Sequence, residues 1–152
     1  MKILVFSDSH GYMASMEQAV RREKPDQILH LGDCLPDARG LIPLGIPVLS
    51  VPGNCDWGSR DPAVLTPEFE GVRVYMTHGH LHNVKVHYQR ILYAALEAEA
   101  RVCLFGHTHR AECFRDPRGL WVMNPGACGP RGSYGVLTIG DGEARCQLKS
   151  VK

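Results

Sequence analysis

Met1-Lys2-Ile3-Leu4-Val5-Phe6-Ser7-Asp8-Ser9-His10 opens the chain as an apolar run that stops abruptly at small polar and metal-competent residues. Residues 2–7 read as a buried strand, since the run is continuous, short and ended by small polar side chains. Beyond it, Met13, Met16, Ala19 and Val20 recur at helical spacing and predict a helix over 13–24, broken by Pro25-Asp26. Residues 27–31 and 47–51 predict two more strands. Strand, helix and strand at this spacing imply right-handed crossovers and a largely parallel sheet.

The same pattern continues through the middle of the chain. A strand is expected over 72–77, a helix over 83–100 with its buried stripe at Tyr88, Ile91, Leu92, Ala95 and Leu96, and a strand over 102–105. Later, residues 112–115 and 120–123 flank Asp116-Pro117-Arg118-Gly119, and residues 134–139 and 144–151 flank Gly140-Asp141-Gly142-Glu143. Both read as hairpins. The expectation is one domain over 1–152, with a parallel α/β first half joined to an antiparallel second half.

Bulk properties restrict the function classes. With 152 residues the chain can bury one core, and 44% hydrophobic with 22% charged residues is globular composition. A net charge of +1 gives no support to a nucleic-acid or lipid-surface role. No apolar run approaches the ~20 residues of a spanning helix, and the first is too short for a secretion signal. We therefore expect a cytoplasmic protein without a membrane partner; homo-oligomerisation is left open. Six cysteines (34, 55, 103, 113, 128 and 146) contain no C-x-x-C pair, so free thiols are expected rather than disulfides or a zinc ribbon.

The informative feature is where the polar residues fall. Five expected strands run, at their carboxyl ends, into Asp8-Ser9-His10, Gly32-Asp33, Gly53-Asn54, His78-Gly79-His80 and Gly106-His107-Thr108-His109. In an open α/β sheet such segments converge on one rim, where ligands bind. Imidazole nitrogens, carboxylates and an Asn carbonyl are the donors that divalent transition metals accept. Asp8 and His10, like His107 and His109, are two apart and, in extended segments, would point the same way. The neighbouring glycines would leave space above the ions. Any single motif of this kind is weak; five in order at one sheet edge point to a metal centre.

That ordered set, Asp-x-His, Gly-Asp, Gly-Asn, His and Gly-His-x-His, resembles the calcineurin-like metallophosphoesterases over most of the chain. Asn124-Pro125-Gly126 followed by Arg131-Gly132 is similar to the small, cap-less phosphodiesterase branch of bacteria and archaea. The resemblance implies an α/β fold, a four-layer α/β/β/α sandwich of two mixed sheets flanked by helices. It implies two divalent transition-metal ions, manganese first, with nickel, iron, cobalt or zinc as alternatives. One would take Asp8, His10, Asp33 and His109; the other would take Asp33, Asn54, His78 and His107. Asp33 would bridge them, and a hydroxide shared by the ions would attack a small phosphate ester, most simply a diester. The rival readings are a phosphomonoesterase or protein phosphatase, and a non-catalytic protein-interaction scaffold such as the retromer subunit of this fold.

One departure stands out. Many relatives carry Gly-Asn-His followed by an acidic residue, the His protonating the leaving group; this chain has Gly53-Asn54-Cys55-Asp56. A thiol with a pKa of ~8.5 is a weak replacement for imidazolium. Cys55 and His80 are the candidate catalytic residues, against bland readings as small filler and as a solvated loop histidine. His30 reads as a core histidine, and His82 and His87 as surface residues. Arg131 reads as either a phosphate contact or a turn residue, and Trp57 as either an active-site cover or a loop cover.

Overall fold

A computed structural model describes residues 1–152. β1 (Lys2–Phe6), β2 (Gln27–His30) and β3 (Val48–Ser50) are parallel neighbours, and β10 (Ser133–Gly140) and β11 (Glu143–Ser150) extend this sheet in the order β11-β10-β1-β2-β3. A second sheet orders β4 (Val64–Leu65), β6 (Val72–Thr77), β7 (Val102–Leu104), β9 (Trp121–Asn124) and β8 (Glu112–Arg115), with β5 (Glu68–Phe69) also paired to β6.

The apolar runs explain the layering. Side chains alternate across a strand, so Ile3 and Val5 of β1 face the inter-sheet core, while Leu4 and Phe6 face the helix α1 (Met13–Glu23). Across the core stand Val72, Val74 and Met76 of β6 and Val102 and Leu104 of β7. The outer face of that sheet packs Tyr75, Cys103 and Val122 on Ile91 and Ala95 of the helix α3 (Gln89–Glu97). Helix, sheet, sheet and helix make four layers, and strands covered on both faces need the unbroken hydrophobicity seen at residues 3–6. No helix is long and apolar enough to cross a membrane.

Three expectations change. The second half is not a separate antiparallel unit. β10 pairs antiparallel with β1, and β9 pairs parallel with β7, so the two hairpins complete both sheets and satisfy edges that β1 and β7 would otherwise leave open. The expected helix over 83–100 shrinks to Gln89–Glu97: Asn83 is left-handed at φ 55°, and the β-branched Val84 and Val86 favour the turn before it. A short helix α2 (Leu35–Gly40), invisible in hydrophobic spacing, follows β2.

Behind the carboxyl ends of β1 and β2 lies a buried polar chain. His30, fully enclosed as expected, accepts the Gly32 N–H at Nδ1 (3.2 Å), and its Nε2 faces Ser9 Oγ at 2.9 Å. Ser9 donates to Asp37 Oδ2 at 2.7 Å, and that oxygen also accepts the Gly11 N–H at 2.6 Å. Burial pushes the His30 pKa down to about 4, against the opposing pull of Asp37, Asp8 and Asp56. The folded pKa lies below the ordinary ~6.5, so between the two values the unfolded chain binds a proton that the folded chain refuses. Stability from this group is complete above the unfolded value and is lost as pH falls toward the folded one. Urea denaturation of chelator-treated protein should show His30→Gln losing roughly 2–3 kcal/mol less than wild type between pH 7.5 and 4.5. Parallel losses in the two proteins would show that His30 does not carry this acid sensitivity.

Candidate metal centre

All seven residues expected from the sequence meet at the rim formed by the carboxyl ends of β1, β2, β3, β6 and β7. Asp8 Oδ1 lies 3.2 Å from His109 Nε2, 3.8 Å from His78 Nε2 and 4.0 Å from His10 Nε2. Asp33 Oδ2 is 3.5 Å from His78 Nε2 and 4.0 Å from His10 Nε2. Asn54 Oδ1 stands 3.0 Å from both His78 Nε2 and His107 Nδ1. Donor atoms of Asp8, His10, Asp33 and His109 all fall within 4.8 Å of one another.

The local backbone differs from the extended segments expected. Asp8, His10, Asp33, His107 and His109 all take positive φ, between 43° and 68°, and make up five of the chain's eleven non-glycine residues of that kind. Each such conformation costs roughly 1–3 kcal/mol and persists only where the surroundings enforce it. The enforcing contacts are visible. Ser7 Oγ (2.7 Å) and the His107 N–H (3.1 Å) donate to Asp8 Oδ2, so Oδ1 is left facing the imidazoles. The Cys55 N–H donates to Asp33 Oδ1 at 2.9 Å, which leaves Oδ2 facing them. His78, fully buried, sets Nδ1 2.8 Å from the Leu31 carbonyl; that acceptor holds the ring proton at Nδ1 and turns the Nε2 lone pair inward. Asp8 Oδ1 is buried and has no hydrogen-bond partner. A carboxylate oxygen so placed, among imidazole nitrogens and an amide oxygen, fits a divalent cation in both charge and donor type.

Two residues that the sequence reading passed over hold the loops together. Asp56 accepts four backbone N–H groups: Asp33 (2.9 Å) and Gly53 (2.7 Å) at Oδ2, and Cys34 (3.0 Å) and Leu35 (2.8 Å) at Oδ1. It clamps the β2 and β3 loops together and caps α2. Asn124, fully buried, donates to Gly106 O (3.1 Å) and Thr108 Oγ1 (2.9 Å) and accepts the Gly126 N–H (2.9 Å), bracing the His107–His109 loop. The acidic residue after Cys55 and the Asn-Pro-Gly motif were the available signals, but neither reveals its partners.

The glycines serve close packing between the loops. A Cβ at Gly53 would fall 2.1 Å from Asp33 Oδ1, and one at Gly106 2.0 Å from Ser7 Oγ, so both loops press on the carboxylates through bare backbone.

Around this centre, His80 is half-buried with its Nδ1 unpartnered, its ring 5.5 Å from His78 and 6.2 Å from His107; desolvation, then the His78 charge, lower its pKa. Cys55 is exposed, and desolvation and the Asp33 carboxylate raise its thiol pKa, so the sulfur stays protonated at neutral pH. His82 is not a plain surface residue, since its Nε2 meets Tyr75 Oη at 2.8 Å. Arg131 is exposed, and Trp57, at 91% exposure, is not packed down on the rim but lines the cleft on the Cys55 side. Open clefts flank the donors, one of about 420 Å³ on the Thr108 side and one of about 440 Å³ on the Cys55 side.

Comparison with known proteins agrees with this geometry. Residues 1–142 match the calcineurin-like phosphoesterase superfamily domain. The probable metallophosphoesterase YsnB of Bacillus subtilis is 34% identical over 148 residues, spanning 91% of this chain and 85% of YsnB. The crystal structure of a conserved Streptococcus pneumoniae protein, a predicted phosphoesterase, superposes with a TM-score of 0.83 at 28% identity, covering 99% of this chain and 89% of that one. An archaeal phosphodiesterase shares the fold at a TM-score of 0.76 and 22% identity, covering 98% and 100% of the two chains. The chain belongs to the calcineurin-like phosphoesterase superfamily.

Proposed function

We propose that this chain is a dinuclear metal-dependent phosphodiesterase. The observation that carries the reading is the buried, unpartnered Asp8 Oδ1 facing three imidazole nitrogens at 3.2–4.0 Å. Asp8, His10, Asp33 and His109 would hold one ion, and Asp33, Asn54, His78 and His107 the other. Donors bound to a common ion by ~2.0–2.2 Å bonds stand about 3–3.5 Å apart at adjacent corners. The Asn54–His78, Asn54–His107 and His78–Asp33 separations of 3.0, 3.0 and 3.5 Å suit that spacing. Four imidazoles and few hard oxygens favour manganese, iron, cobalt, nickel or zinc over magnesium or calcium. When bound, such ions supply Lewis acidity for water activation and positive charge for phosphoryl oxygens.

The residues of the chain do the rest. Asp33, with Oδ1 fixed by the Cys55 amide, presents one anionic oxygen to both donor groups. His80, whose ring lies beside those of His78 and His107, would face a phosphoryl oxygen. Cys55 offers only a weak acid to the departing oxygen. Diester substrates are supported by the two clefts, since a diester carries an arm on either side of phosphorus and a monoester only one.

The manganese-loaded protein should release nitrophenol faster from bis(4-nitrophenyl) phosphate than from 4-nitrophenyl phosphate. Asp33→Asn should stay folded by circular dichroism and lose turnover by at least about 10³-fold. A wild-type rate in that variant, or a strong monoester preference, would remove the proposed reading.

Position 55 generates a second expectation. Imidazolium assistance is worth about 10²–10⁴-fold, and the gain is largest for poor leaving groups. Wild type should therefore show a steep fall in rate from aryl toward alkyl diesters, and Cys55→His should flatten it by accelerating alkyl esters most. Equal slopes across a graded leaving-group series, with chemistry rate-limiting, would place Cys55 away from the departing oxygen.

A further inference from the structure

The cleft on the Thr108 side has a composition that the proposed hydrolysis leaves unexplained. Val84 and Tyr88 give it an apolar wall, and Lys85, His87, Thr108 and Arg110 surround that wall. Thr108, one of the lining residues, sits in sequence between His107 and His109, so the cleft borders the loop that carries them. Lys85 is near enough to the centre that its charge acts on His107, whose pKa is lowered by burial, by His78 and then by Lys85.

The charge of the cleft is local. The chain as a whole is nearly balanced, with 17 Lys and Arg against 16 Asp and Glu. The lysines and arginines that form ion pairs do so elsewhere: Lys2 and Lys149 on Glu23, Arg21 on Glu17, Arg39 on Asp61, Arg73 on Glu68 and Glu99, and Arg118 on Asp116. Lys85 and Arg110 are exposed and form none. Glu112, the acidic residue beside this wall, accepts the Tyr88 hydroxyl and keeps its charge, so the cleft carries two cations against one anion. Two cations without an ion-pair partner, with a histidine, beside an apolar wall in a cleft of about 420 Å³, form a site for an anionic group on a short arm.

We infer that this cleft is the substrate-recognition subsite, and that the preferred substrate is a phosphodiester one arm of which ends in a second phosphate held by Lys85 and Arg110. The inference rests on the proposed phosphodiesterase reading and deepens it. The scissile phosphate sits at the metal centre, and the terminal phosphate lies across Thr108 against the two cations. The opposite cleft, with the Arg39 guanidinium already paired to Asp61, has no comparable pair of free cations and receives the uncharged arm.

The test uses two 4-nitrophenyl phosphodiesters, one with an ethyl second arm and one with an ethyl arm ending in a phosphate. Wild-type manganese-loaded protein should favour the phosphorylated arm by about tenfold in kcat/KM, the scale of one charge-assisted hydrogen bond. The double variant Lys85→Ala with Arg110→Ala should bring that ratio close to one. A control pair at the C-terminal end of α1, which packs on the other sheet, Arg21→Ala with the capping Lys24→Ala, should leave it unchanged. A ratio near one in wild type, or the same ratio in the cleft variant as in wild type, overturns the inference; so does its loss in the control, which would assign it to net charge. If neither ester releases nitrophenol, the hydrolytic reading has failed and the cleft is judged by calorimetry on the metal-loaded protein. Tighter binding of ethanediol bisphosphate than of ethyl phosphate, in wild type but not in the cleft variant, supports the subsite; equal binding overturns it.

Discussion

Two carboxylates brought side by side at one rim set the terms for the rest of the structure. The side chains of Asp8 and Asp33 are 0% and 4% exposed, and each aims an oxygen at the same group of imidazoles. Burying ionised carboxylates costs several kcal/mol each unless hydrogen bonds and opposite charge compensate. Hydrogen bonds account for one oxygen of each: Ser7 and the His107 amide on Asp8, the Cys55 amide on Asp33. Burial raises the Asp33 pKa, but that amide and the nearby imidazoles outweigh it and hold the group below the usual carboxylate range. The remaining oxygens are the acceptors for which the protein itself offers no sufficient donor. In this account, divalent cations complete the compensation.

Bringing the carboxylates together is the work of the inter-sheet core. Ile3, Val5, Val74, Met76, Val102 and Leu104 are fully buried and press the two sheets face to face. The carboxyl ends of β1, β2 and β3 then meet those of β6 and β7. The fine adjustment comes from loops packed on loops: Asp56 clamps two, Asn124 braces a third, and Gly53 and Gly106 allow contacts that no side chain would permit. Left-handed backbone at five donor residues is sustained by this mutual packing. A rigid scaffold carrying strained, interlocked loops is the arrangement expected where geometry must be pre-set.

Much of this was legible in the sequence, and the limits have physical reasons. β1, β2, β6, β7 and α1 follow from local hydrophobic spacing, and the seven rim residues stand out in the sequence because each follows a strand. The two mixed sheets came from the resemblance alone; which strands pair was not legible in local spacing, because the pairing of β9 with β7 and of β10 with β1 depends on contacts remote in sequence. The helix after His80 is shorter than the expected 83–100 because the β-branched Val84 and Val86 resist helix formation. Asp56 and Asn124 stand in the quoted motifs, but their bracing roles are hydrogen bonds to distant backbone, which leave no periodic trace. The basic cleft escaped for the same reason: Lys85 and Arg110 become neighbours only once α3 and the His107–His109 loop are in place.

The central claim is that the seven donors hold two ions with Asp33 shared between them. Anomalous diffraction from manganese-loaded crystals, recorded above and below the metal absorption edge, tests it most directly. The account predicts two anomalous peaks per chain, both contacted by Asp33, with Asp8, His10 and His109 on one and Asn54, His78 and His107 on the other. A single peak at saturating manganese, or two peaks of which Asp33 touches only one, would contradict it.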